Sequence, residues 1–161
     1  MSVVQLTDHF TPEEMTFSET AIRHGLPNVP GPDELLNLQA LCKHVLEPAR
    51  AALGPIHVNS GFRSPAVNAL VGGAPGSQHT KGQAGDLRPL VATLHELLVW
   101  LWENAPFDQL IWEFGAWVHV SYDRREPGRH QLLAAFRKPG HGTLYRLVDS
   151  PAAAIALVRA A

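Results

Sequence analysis

The sequence predicts an α+β protein in which helices come first and pack on a small antiparallel sheet built later in the chain. Three observations carry that expectation. Apolar residues recur with helical period over Pro32–Leu53 and again after Thr93. Beyond Pro106 the pattern changes to short runs separated by glycine-bearing turns, as hairpins require. No internal repeat, low-complexity tract or linker divides the 161 residues, so one domain over 1–161 is the simplest expectation.

Each element has its own local reason. Thr11-Pro12-Glu13-Glu14 reads as a capping box with proline at the first helical position. Ser18 caps a second short helix, stopped by Gly25, and Asn28 to Asp33 is a proline-bearing loop. In the long pattern from Pro32 to Leu53 the apolar positions are Leu38, Leu41, Cys42, Val45, Leu46, Ala49 and Leu53. Pro48 should kink or break that helix, because it cannot bond to the His44 carbonyl, and Gly54 ends it. Ile56–Asn59 is a strand candidate, Ser64-Pro65 opens a helix to Val71, and Gly72–Gly76 is a flexible approach to Ser77 and His79. Thr93 and Glu96 form a capping box for a helix burying Leu94, Leu97, Leu98, Leu101 and Trp102. Phe107–Phe114 and Trp117–Tyr122 suggest a hairpin about Gly115-Ala116. Gln131–Arg137 and Thr143–Val148 suggest another, and Ser150-Pro151 begins an alanine-rich terminal helix.

Composition removes several function classes. A hydrophobic fraction of 45% and a charged fraction of 17% are ordinary for a globular protein. A net charge of −2 without a basic cluster argues against nucleic acid and anionic membrane surfaces as partners. The lone Cys42 forms no intrachain disulfide and is expected in the core. Met1 to Asp8 shows neither a basic n-region nor an apolar h-region, and no run is long enough to insert in a membrane. The expectation is a monomer made in the cytoplasm without a signal peptide.

The chemistry concentrates in two segments. Ser77-Gln78-His79-Thr80-Lys81-Gly82-Gln83-Ala84-Gly85-Asp86 supplies an imidazole and a carboxylate, and Trp117-Val118-His119-Val120-Ser121 supplies a second imidazole. Two imidazoles and a carboxylate are a set that zinc accepts while keeping a fourth position open. Strand alternation puts Trp117, His119 and Ser121 on one face and the two valines on the core face. Small residues at Gly82, Ala84 and Gly85 let the backbone loop closely around an ion.

The first segment fits S-x-H-x-x-G-x-A-x-D at every fixed position, with Ser60-Gly61-Phe62-Arg63-Ser64, Phe107-Asp108-Gln109-Leu110-Ile111-Trp112-Glu113 and the His119 segment in order around it. On these motifs the chain, from about Leu6 to Tyr122, resembles the zinc D-alanyl-D-alanine peptidases. That group includes VanX-type dipeptidases and the L-alanyl-D-glutamate endolysins of phages, and the hedgehog signalling domain shares its fold. The resemblance implies His79, Asp86 and His119 as ligands of one Zn²⁺ ion. Many relatives place an acid three residues before the last histidine, where this sequence has Ala116. Glu113 stands at a spacing found in the hedgehog-like arrangement and is the expected base and proton donor, with Asp108 as the alternative. Arg63 is expected to hold the substrate carbonyl and the charge that develops on it. Ser77, Gln78 and Asp108 are expected against the substrate chain, and Trp117 as an apolar wall. Each has a plainer reading: Glu113 as a support for a ligand histidine, Arg63 as a salt bridge to Asp86 or Asp108.

The function implied is hydrolysis of amide bonds in peptidoglycan stem peptides, as a D-Ala-D-Ala carboxypeptidase or an L-Ala-D-Glu endopeptidase. A prophage- or phage-type lysis enzyme, acting on the cell wall after release, would suit the absence of a signal peptide. The alternative is a catalytically inactive, zinc-stabilised binding module for cell-wall peptides, which Ala116 favours.

Overall fold

A computed structural model describes residues 5–161, so the first four residues of the Met1–Asp8 segment lie outside it. Helix α1 (Pro12–Thr16) is capped by Thr11, whose hydroxyl accepts from the Glu14 amide at 3.1 Å. No return bond from the Glu14 carboxylate forms, so the capping box is half made. Ser18 caps α2 (Glu19–Arg23), which ends before Gly25 in the left-handed region. The long helical pattern stays continuous but changes form: α3 (Pro32–Leu41) passes through a π-helical turn (Cys42–Leu46) into α4 (Glu47–Leu53). The Glu47 amide reaches back five residues to the Cys42 carbonyl. Widening the turn just before Pro48 accommodates the missing donor without ending the helix.

Strand β1 (Ile56–Ser60) and α5 (Pro65–Leu70) lead to a 3₁₀ turn (Gln78–Lys81) and then to β2 (Ala84–Pro89). This last strand corrects the expected ion-embracing loop: Ala84, Gly85 and Asp86 are extended and belong to a strand with neighbours on both sides. After α6 (Leu94–Asn104), with both halves of its Thr93–Glu96 capping box formed, come β3 (Gln109–Glu113) and β4 (Trp117–Ser121). Their connection turns at Phe114-Gly115, both at positive φ, rather than at Gly115-Ala116. The hairpin of β5 (Gln131–Lys138) and β6 (Gly142–Val148) precedes α7 (Pro151–Ala160).

The six strands form one sheet in the order β1-β2-β4-β3-β5-β6. It is antiparallel except where β5 runs parallel to β3, a departure from the all-antiparallel expectation. One face carries Leu87, Val118, Val120, Leu110, Trp112, Leu132 and Ala134 into the core. There they meet Leu38, Leu41, Val45 and Leu46, Leu97, Leu98 and Leu101 of α6, and Ala154 of α7. Each large aliphatic side chain buried this way stabilises the fold by roughly 1.5–3 kcal/mol. Cys42 is fully buried, and burial pushes its thiol well above the usual range, consistent with an inert core residue. The opposite face of the sheet is open and carries the polar residues of a cleft.

Candidate metal centre and active-site cleft

Register decides which side chains meet. Asp86 pairs with His119 across β2 and β4, so both project from the open face at the same level. His79 arrives from the 3₁₀ turn, where the Ser77 hydroxyl accepts from the His79 amide and the exit is Gly82 at φ +71°. A Cβ at Gly82 would lie 2.4 Å from the Glu34 carbonyl oxygen, so only glycine allows the turn to seat against α3. The Nδ1 of His79 lies 2.7 Å from the Gly61 carbonyl oxygen, which as a donor–acceptor pair turns Nε2 toward Asp86.

One ligand atom from each of His79, Asp86 and His119 lies within 4.8 Å of the others. Asp86 Oδ1 is 3.3 Å from His79 Nε2 and 3.1 Å from His119 Nδ1. Ligands on a tetrahedron with bonds of ~2.1 Å stand ~3.4 Å apart, so an ion of zinc size fits this spacing. All three residues are buried. Burial opposes the Asp86 charge, but the His79 and His119 imidazoles outweigh it and hold the carboxyl below its ordinary range. The donor set of two imidazoles and a carboxylate suits a first-row divalent ion.

The sequence model of the family described as Peptidase M15 matches residues 8–121, most of the chain. The chain belongs to the peptidase M15 family. That family comprises zinc-dependent peptidases of the D-Ala-D-Ala carboxypeptidase and VanX-like kind, so the affiliation supports a metallopeptidase acting on peptides. No curated protein matches the chain at a comparable level.

Around these three residues, the M15 chain opens a cleft of about 680 Å³. Glu113, at the end of β3, places Oε1 3.9 Å from His119 Nδ1, too far for a hydrogen bond that would orient the ring. Burial raises its carboxyl to about 7, and the neighbouring Asp86 adds to that rise. His119 and Arg63 pull the other way. Arg63 Nε is buried without a hydrogen-bond partner, and no carboxylate lies within 4.0 Å of its guanidinium among the described residues, so the salt-bridge reading is not realised. Burial lowers its pKa while Asp86, Glu113 and Tyr145 hold it up. A half-buried cation without an ion-pair partner, lining the same cleft as His79, Asp86 and His119, is available to an incoming oxygen.

Asp108 has a different position from the one expected. It is buried behind the cleft wall, accepting from Arg129 Nε at 2.9 Å, the Arg129 amide at 2.9 Å, Arg129 Nη2 at 2.8 Å and Gln78 Nε2 at 2.6 Å. The Arg129 contacts dominate and hold its pKa down at about 2. It therefore reaches the cleft only through Gln78 and Arg129, both of which line it together with Ser77 and Trp117. Trp112, Trp102 and His57 stay out of this cleft.

The last forty residues hold what sequence reasoning missed. Arg129, Leu133, Arg137, Thr143 and Tyr145 complete one wall of the cleft. Their placement follows from register: Trp117 pairs with Glu113, Glu113 with Ala135, and Ala135 with Tyr145. A single row thus crosses four strands, and the small Ala135 in its middle leaves Tyr145 free to lean over the cleft. No local signal in the chain announces this, because it depends on β5 pairing parallel to β3.

Proposed function

We propose that the protein is a zinc metallopeptidase that hydrolyses amide bonds of peptidoglycan stem peptides, at the terminal D-Ala-D-Ala or the internal L-Ala-D-Glu position. The observation that carries this reading is the convergence of His79, Asp86 and His119 in a peptide-sized cleft, with Glu113 and Arg63 beside them and unpaired with each other. When bound, the ion supplies Lewis acidity that polarises the scissile carbonyl and makes water nucleophilic near neutral pH. Glu113 accepts the proton of the attacking water and delivers it to the departing amine nitrogen. A carboxyl raised to about 7 is suited to both transfers. Arg63 holds the carbonyl oxygen and stabilises the negative charge that grows on it. Ser77 and Gln78 orient the peptide, Asp108 fixing Gln78 by its 2.6 Å hydrogen bond, and Trp117 forms an apolar wall. A lysis enzyme released onto the cell wall is the setting in which such a chain would act.

The test is mass spectrometry of peptidoglycan fragments incubated with zinc-loaded protein, with a chelated sample as control. Loss of terminal D-alanine identifies a carboxypeptidase, and separation of L-Ala from D-Glu an endopeptidase. No cleavage by protein shown to hold zinc would favour the inactive binding module, the reading that Ala116 supports.

A further inference from the structure

Resting on that reading of the cleft, we infer that Arg137 recognises a free carboxylate of the peptide substrate, two or three residues from the scissile bond, and so sets substrate choice. Three arginines border the cleft: Arg63, Arg129 and Arg137. Arg129 is neutralised by its two-point contact with Asp108. Arg63 is half-buried, and Asp86 and Glu113 are near enough to act on its charge. Arg129 and Arg137 are both exposed, but of these two only Arg137, among the described residues, has no carboxylate within 4.0 Å.

Its position is nevertheless fixed. The Arg137 guanidinium carbon sits 4.5 Å from the centre of the Phe114 ring. Phe114 is itself held in the left-handed region at φ 59°, with its amide bonded to the Ala135 carbonyl at 3.0 Å and its ring edge-on to Trp117 at 5.5 Å. A planar cation stacked on a fixed ring keeps its N–H fork free at the edge, the geometry that takes a carboxylate through two parallel bonds. Thr143, opposite Arg137 in the β5–β6 register, and Tyr145 add hydroxyl donors on the same wall. Strands stand ~4.8 Å apart and an extended chain advances ~3.3 Å per residue, so Arg137, one strand over and two residues beyond the Glu113–Ala135 pair, stands roughly 8 Å from Glu113, two or three residues of substrate.

Two carboxylates of a short acidic peptide could fill this position: the C-terminal one or one borne by an internal acidic residue. The experiment uses three versions of one stem-type tetrapeptide: the free acid, the C-terminal amide and the internal carboxylate amidated. Binding is read by tryptophan fluorescence on the zinc-loaded Glu113→Gln protein with and without Arg137→Gln, and turnover on protein retaining Glu113. Amidation at one of the two positions should weaken binding tenfold or more when Arg137 is present, and that position names the carboxylate. Arg137→Gln should weaken the free acid to the level of that amide while leaving the amide within twofold. A preference for the free acid that survives Arg137→Gln overturns the inference, as does equal binding of all three peptides to protein with Arg137. If Arg137-dependent binding is seen without hydrolysis by the unsubstituted protein, the peptidase reading fails and the carboxylate site stands. Hydrolysis with an Arg137-independent preference gives the reverse.

Discussion

Replacing Asp108 with asparagine separates a residue that positions the cleft wall from one that carries out chemistry. The Asp108 carboxyl lies at about 2 against an ordinary 3.8. At ~1.4 kcal/mol per pH unit the charged form contributes about 2 kcal/mol to the folded state, and water around the half-exposed Arg129 reduces that to about 1–2 kcal/mol. Asparagine keeps the shape but loses the charge that Arg129 and Gln78 both donate to. For a chain of this length the melting temperature should fall by roughly 2–8 °C at pH 7. Because folding depresses this pKa, the stabilisation is complete above 3.8 and disappears as pH falls through about 2. Melting curves of the two proteins should therefore converge between those values. Turnover should weaken only several-fold, chiefly in KM, as Gln78 loses its anchor. Equal melting at pH 7 would refute the energetic argument. A loss of turnover beyond a hundredfold, with zinc and melting unchanged, would make Asp108 the base and remove Glu113 from that role.

Glu113→Gln should retain fold and zinc while losing roughly 10²–10⁴ in kcat, measured on the same peptides. Unchanged turnover would exclude it as proton carrier. Titrating the protein with zinc should raise its melting temperature, and a chelator should reverse the gain. Metal content should fall on acidification, because protons compete with the ion for its ligands, and full retention at about pH 4 would count against His79 and His119. Gly82→Ala should destabilise the fold by at least about 1–3 kcal/mol, since it places a Cβ against the Glu34 carbonyl at a positive φ. Thermal melts check this, and a wild-type melting temperature would show that the turn carrying His79 can rearrange.

Features encoded by local chemistry are legible in the sequence. The Thr93–Glu96 capping box, the alternation of Val118 and Val120 with His119, and the fixed positions of the His79–Asp86 segment are all visible within a few residues of chain. Strand β2 is hidden because Ala84, Gly85 and Asp86 have poor strand propensity, and only pairing to β1 and β4 makes them extended. The Pro48 signal is real, but a π-turn resolves it instead of a break. Arg137 and Tyr145 cannot be connected to Glu113 from sequence, because the register between β3 and β5 is a long-range choice that neither segment states alone.

The order of strands divides the cleft into two parts. The candidate metal ligands lie on β2, β4 and the 3₁₀ turn, while Arg137, Thr143 and Tyr145 belong to a hairpin at the sheet's outer edge, beyond the 8–121 stretch that matches the family. A hairpin at an edge has a single neighbouring strand to satisfy, so its outward residues can be exchanged at little cost to the rest of the sheet. On the proposed reading, selectivity would change through substitutions at positions 137–145 while the residues assigned to metal binding and proton transfer stay as they are.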